Sequence, residues 1–273
     1  MGDYMDNKLR KFTLDEMHAE SIKILNDVAS FCDKNDIHYI LAYGSLLGAI
    51  RHNGFIPWDD DIDIAMPRED YERFLATYKS ENGYKLFSYK SDPTYIFPFS
   101  KVSNIHDSLK YEYLDYGTHL RGIEIDIFVF DKCPNNKIKQ LLTRLKVSYY
   151  RGFADFARYP HHMENNKLVE PLRKIAKRKG TLYWLKKLDK CTLKYNQRDY
   201  NLMWPACYPT QMKTEIIPKD AFNKRTKHIF EDQKYFIPEN YKTVLTSLFG
   251  PDYMTPPPPK DRLAHDCEIY WKI

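Results

Sequence analysis

Between Leu41 and Pro67 the chain reads LAYGSLLGAIRHNGFIPWDDDIDIAMP, and this order leaves few folds open. The β-forming run Ile37–Tyr43 reads as a buried strand that stops at Gly44. Ser45–Arg51 reads as a short helix, and Gly54 and Pro57 break the chain after it. Asp61–Met66 then alternates Asp, Ile, Asp, Ile, the two-residue period of a strand with its carboxylates on one face. Strand, Gly-Ser turn, helix and acidic strand thus follow one another in a short span. Carboxylates with isoleucine on both sides are costly to bury unless a cation compensates them.

The arrangement points to a phosphate held beside a metal ion. Gly44 lets the backbone approach a phosphate, while Ser45 and the following helix N-terminus offer hydroxyl and amide donors. Mg²⁺ or Mn²⁺ prefers oxygen ligands, commonly one or two carboxylates plus substrate phosphates. Asp61 and Asp63 point to the same side and are expected to share an ion. Asp126, in Gly122-Ile-Glu-Ile-Asp-Ile-Phe-Val-Phe130, is the candidate third carboxylate of a clamp on attacking and leaving oxygens. Asp59 is equally a ligand or a cap. Asp60 and Glu124 read as structural or solvated. A lone Gly-Ser or Asp-x-Asp carries little; the combination favours metal-dependent phosphoryl transfer.

The surrounding pattern is α+β. Thr13-Leu-Asp-Glu16 has capping-box spacing before a helix over residues 14–34. Pro67 suits the first turn of a helix over Arg68–Lys79. Strands are expected at Tyr84–Tyr89, Ile96–Val102, Leu109–Leu114 and Gly122–Phe130. Helices are expected at Lys137–Phe153, Leu168–Lys179 and Leu182–Tyr195. The Pro- and Tyr-rich remainder reads as strands and loops with a helix over Asn240–Phe249. A composition shift near residue 132 divides a catalytic core (1–131) from a basic helical segment and C-terminal region (132–273), unless the two form one continuous domain.

With 273 residues and 43% apolar content, the chain can bury a sizeable core. No apolar run reaches the ~18 residues of a membrane span, and the N-terminus lacks a signal-peptide core. Five widely spaced cysteines without C-x-x-C read as reduced cytoplasmic thiols, neither a disulfide frame nor a zinc knuckle.

The net charge of +5 hides an asymmetry. Lys132–Asp199 carries 18 Lys and Arg against five Asp and Glu, and the remainder is net acidic. The basic segment, with Arg173–Lys179 and Lys186-Lys187, is either a solvated face or a contact with anionic lipid at the inner face of the membrane. No recognition motif for nucleic acid accompanies it. Arg51, His52 and Lys101 are cations for a phosphate or for surface ion pairs. Trp58 reads as core in preference to a nucleobase platform. A quaternary ammonium would need an aromatic cage, and 22 Tyr, 15 Phe and 4 Trp supply aromatics without identifying one.

Tyr43–Phe74 strongly resembles the signature of the LicD family, to which fukutin and fukutin-related protein belong. Gly122–Phe130 resembles that family's later acidic strand, and Phe249–Pro258 followed by His265 its C-terminal block. The resemblance implies a nucleotidyltransferase-like mixed sheet flanked by helices, and use of CDP-activated alcohols such as CDP-choline. Bacterial members add phosphocholine to lipopolysaccharide, teichoic acid or capsule; relatives transfer polyol phosphates. Carried over, Asp61, Asp63 and Asp126 are the metal carboxylates, with Asp59 accessory. Gly44 and Ser45 lie at the nucleotide phosphates. The expected reaction is attack of a glycan hydroxyl on phosphorus with release of CMP. Nucleotidyl transfer, glycosyl transfer from a sugar nucleotide and a membrane-surface scaffold stand as alternatives.

Overall fold

The computed structural model describes residues 9–112, 121–158, 169–205, 215–262 and 267–272. Strand β1 (Leu9–Lys11) leads into helix α1 (Leu14–Lys34). The capping box forms in full: the Glu16 amide donates to Thr13 Oγ1 and the Thr13 amide to Glu16 Oε2. The inner face of α1, with Ile24, Leu25, Val28 and Cys32, is fully buried.

Strand β2 is short (Ile40–Leu41), and helix α2 (Tyr43–His52) begins two residues before the expected Ser45. Tyr43 enters it at φ 43°, a left-handed conformation uncommon outside glycine. Strand β3 (Asp63–Pro67) leads directly into helix α3 (Arg68–Thr77), with Pro67 at its N-cap, one position before the anticipated first turn. Helix α3 stops short of Lys79 because Tyr78 turns extended at ψ 126°. There it is buried, and its hydroxyl donates to Asp27 at 2.7 Å.

Strands β4 (Lys85–Phe87), β5 (Ser100–Ser103), β6 (Ser108–Glu112) and β7 (Glu124–Cys133) follow. Next come helices α4 (Lys137–Arg158), α5 (Glu170–Lys179) and α6 (Thr181–Leu193). The chain continues through β8 (Leu202–Pro205), β9 (Ile217–Pro218), α7 (Asp220–Asn223), the hairpin β10 (Arg225–Phe230) and β11 (Gln233–Pro238), helix α8 (Tyr241–Phe249), a 3₁₀ turn at Pro259–Asp261, and β12 (Cys267–Lys272).

Seven of these strands form one mixed sheet ordered β2-β3-β7-β5-β4, with β8 on β7 and β9 on β8. Only β3 and β7 run parallel. Strand β7 is its spine: Ile125, Ile127, Val129 and Phe130 are buried, as an interior strand requires. Ile127 pairs with Ile64 and Ser100, and Phe130 with Pro67 and Pro205. Hence β5 and β8 follow one another along the edge of β7 opposite β3. A second sheet, β1-β12-β6, joins the two ends of the described chain.

Two features fasten outlying parts to this sheet. The hairpin turn at Glu231 closes on the loop after α2: Glu231 Oε1 accepts from the Phe55 amide at 2.9 Å, and the Glu231 amide donates to the Asn53 carbonyl at 2.8 Å. A Cβ at Gly54 would lie 2.1 Å from Glu231 Oε1, so a larger residue there would displace the Glu231 carboxylate from this contact. On the other flank, Arg68 of α3 donates Nε and Nη2 to both oxygens of Asp131 on β7 (2.7 and 2.8 Å) and Nη2 also to Asp189 of α6 at 2.8 Å. Arg68, Asp131 and Asp189 are all buried. Cys32, Cys133 and Cys191 are free and buried, in keeping with reduced thiols.

Candidate active site

The site forms where three strands meet. Asp63, the first residue of β3, is the register partner of Asp126 on parallel β7. Asp126 is in turn the partner of Lys101 on antiparallel β5, and Ser103 is the partner of Glu124. The two acidic strands found in the sequence thus lie side by side with their aspartates level. Asp61 stands two residues before β3, because β2 has already left the sheet at Leu41.

Lys101 is buried; its ammonium donates to Asp126 Oδ1 at 2.6 Å and lies 2.9 Å from Glu124 Oε1. Phe97 and Phe99 flank it, with ring centroids 5.4 and 5.2 Å away. Burial alone would lower its pKa; Asp126 and Glu124 overcome that and hold it above the ordinary value. Lys101 is therefore neither exposed nor in a surface pair. Arg121 Nη1 stands 3.7 Å from Glu124 Oε1 and its guanidinium 4.8 Å from the Phe97 centroid.

At the N-terminal end of β3 the acidic run folds back on itself. Among the described residues, Asp59, Asp60 and Asp61 form the group of three potential metal-ligating side chains whose oxygens lie within 4.8 Å of one another. Asp60, read from sequence as structural or solvated, is buried. Asp59 is placed by its neighbours: its carbonyl lies 2.7 Å from His18 Nε2, and that ring stacks on Phe55 at 3.8 Å. A Cβ on Gly44 would come within 2.6 Å of Asp59 Oδ2. The space opened by Gly44 therefore holds the Asp59 carboxylate, against the first turn of α2, where negative charge is favourable. Ser45 Oγ accepts from the Asp63 amide at 2.8 Å, tying α2 to β3 and leaving the hydroxyl proton to donate.

The electrostatics follow. Burial raises the Asp63 carboxyl well above its ordinary value, and the charges of Asp61, Asp126 and Asp59 push the same way against Lys101. Burial also pushes Asp126 up to about 6; Glu124 and Asp61 add to this while Lys101 opposes it. One ammonium does not neutralise the group. Clustered oxygen donors held at this cost fit a hard divalent cation.

The other candidates lie around this centre. Arg51 Nη1 donates to the Tyr253 carbonyl at 3.0 Å and its Nε to His52 Nδ1 at 3.4 Å. Burial, then the charge of Arg51, lowers the His52 pKa. Trp58 packs on the core beneath Arg262, whose guanidinium lies 4.5 Å from the ring centroid. The C-terminal block thus reaches the loop that carries the acidic run; His265 lies outside the described residues.

Sequence reasoning missed Tyr95. Its hydroxyl is buried with no hydrogen-bond partner among the described residues. Burial, then the charges of Glu124 and Asp126, raises its pKa. No local pattern marks it, since it precedes β5 in an irregular stretch.

Residues 36–159, which carry every site strand and α2, match the family model described as "LicD/FKTN/FKRP, nucleotidyltransferase domain". A protein of Haemophilus influenzae named lipopolysaccharide cholinephosphotransferase LicD is 29% identical over 95% of this chain and 98% of its own length. Residues 36–159 thus carry a LicD-type nucleotidyltransferase domain. Shorter similarities link this chain to uncharacterized proteins of Rickettsia typhi, 35% identical over 85 residues covering 30% of this chain and 27% of that protein, and Rickettsia prowazekii, 39% identical over 66 residues covering 24% and 25%.

Proposed function

We propose that this protein transfers a phospho-alcohol, phosphocholine first among the candidates, from a CDP-activated donor to a hydroxyl of a cell-surface glycan. Lipopolysaccharide, teichoic acid and capsule are the acceptor classes considered. The observation that carries the reading is the level pairing of Asp63 with Asp126, beside the clustered oxygens of Asp59–Asp61, inside a nucleotidyltransferase domain. The name of the Haemophilus relative supports the choice of phosphocholine and of lipopolysaccharide. The protein would work in the cytoplasm or peripherally at the inner face of the membrane.

The carboxylates of Asp61, Asp63 and Asp126, with Asp59, would hold Mg²⁺ or Mn²⁺. When bound, that ion neutralises charge on the transferred phosphate and lowers the pKa of an oxygen nucleophile. Gly44, Ser45 and the first turn of α2 receive the nucleotide phosphates through amide and hydroxyl donors. Asp126 accepts the proton of the acceptor hydroxyl as its oxygen bonds to phosphorus; the phosphorus–oxygen bond to CMP breaks. Lys101, the cation first considered for the donor phosphates, is held by Asp126 and Glu124 and orients Asp126; Arg51, in the last turn of α2, is the cation assigned to the anionic donor.

The test is product analysis with Mg²⁺ and CDP-choline, CDP-ethanolamine, CDP-glycerol or CDP-ribitol, preceded by a thermal-shift screen of the same donors. Release of CMP with one donor supports the reading. Release of pyrophosphate from a nucleoside triphosphate would move it to nucleotidyl transfer, the activity in the family domain's description.

A further inference from the structure

Helix α4 carries apolar residues on two opposite faces. Gln140, Thr143, Val147 and Ala154 point inward and are buried. Ile138, Leu141, Leu142, Leu145 and Tyr149 recur at intervals of three and four residues, and each is more than half exposed. At 100° per residue these five form one stripe, opposite the buried Thr143, Val147 and Ala154, and its C-terminal end at Tyr149 borders Phe153, which is buried against Trp184 of α6. Between the two faces run Lys139 and Lys146 on one side, Lys137 and Arg144 on the other. An outward apolar stripe on a surface helix is unusual, since such a helix ordinarily turns its apolar face to the core and only polar groups to water.

We propose that this face of α4 is a membrane-docking surface, with the stripe entering the headgroup–acyl boundary and the basic rails meeting anionic headgroups. Charge selects the occupant. Helices α4, α5 and α6 together carry 14 Lys and Arg against three Asp and Glu, and one of those acids, Asp189, is engaged with Arg68. A second copy would set like charges against each other across the stripe. An anionic bilayer meets both features at once, as in helices that lie in the membrane plane. No helix among the described residues is long and apolar enough to cross a membrane, so the contact is peripheral. The surface goes beyond the proposed reaction and rests on it only for its purpose, which is to hold the site beside a lipid-linked acceptor.

The experiment is co-sedimentation of the full chain with phosphatidylglycerol-containing vesicles and with pure phosphatidylcholine vesicles, at low and high salt. The parent protein is expected to bind the anionic vesicles, and less at high salt. The double variant Leu141→Gln/Leu145→Gln is expected to bind about tenfold or more weakly, because each leucine loses its burial in lipid. Both positions are exposed, so its melting temperature should match the parent's. Equal binding by variant and parent overturns the stripe, and equal binding to both vesicle types overturns the basic rails. Failure of the parent to bind either overturns the proposal. So does self-association of the parent that the double variant abolishes, which would assign the face to a second copy. Transfer to a soluble acceptor fragment should be unchanged in the variant. Absence of transfer in the parent would refute the proposed reaction and leave the vesicle result standing.

Discussion

At the scale of single residues, the site depends on carboxylates kept close together against their repulsion. Asp61→Ala and Asp63→Ala are expected to remain folded and to lose transfer by at least about a hundredfold, the scale of removing one preorganised charge-stabilising group. Full activity in either purified variant removes it from the metal set. Gly44 gives a subtler test. A methyl group there would press on Asp59 Oδ2, so Gly44→Ala must displace Asp59 or shift α2. The expected outcome is a folded protein whose melting temperature responds less to Mg²⁺ than the parent's. An unchanged response would show that Asp59 stands outside the metal set. Asp59 and Asp60 mark the limit of what residue identity conveys. DDDID names five positions, but which oxygens converge depends on the turn that His18, Phe55 and Gly44 impose on the run.

At the scale of elements, β3, β7 and β5 bring together groups that titrate as a set. The Asp63 and Asp126 carboxyls have folded-state pKa values above their unfolded ones. The folded protein therefore binds more protons than the unfolded chain between the unfolded carboxyl value, about 4, and the folded values. Their contribution to stability is present below that window and is lost as pH rises through about 6. A divalent cation bound there would replace the lost protons. Mg²⁺ should thus raise the melting temperature more at neutral pH than near pH 5 (roughly one unit above the unfolded carboxyl value), and its binding should release protons. A pH-independent response would place the ion elsewhere. The pairing behind this linkage was only half legible in the sequence. Alternation of Asp and Ile marks each strand, and the capping box marks the start of α1, because both are local signals. Lys101 was legible as a cation following aromatic residues but not as the bridge between Glu124 and Asp126, since strand order is set by packing. The early turn at Tyr43 and the extension of β7 to Cys133 likewise depend on partners, β8 among them, that lie far along the chain.

At the scale of the whole molecule, the composition shift near residue 132 invites a division that buried contacts cross. Strand β8, from beyond the basic helices, pairs with the end of β7. Arg68 binds Asp131 and Asp189 together, and Asn196 donates to Asp131 as well. A buried bidentate pair need not exceed a hydrophobic replacement in stability, but removing one partner strands the others' charge in the interior. Arg68→Met leaves Asp131, which is fully buried, without its guanidinium. It should cost about 3–5 kcal/mol and lower the melting temperature. We propose that residues 1–131 and 132–273 unfold as one unit. In that case Arg68→Met shifts a single transition by calorimetry, monitored alike by far-ultraviolet circular dichroism and tryptophan fluorescence. If the segments are independent domains, the substitution should split the transition, with the basic helices melting first and the Mg²⁺ response of the acidic site intact. The distinction bears on mechanism: a single unit holds α4 in fixed relation to β3 and β7, so a membrane contact on α4 would also orient the site toward its acceptor.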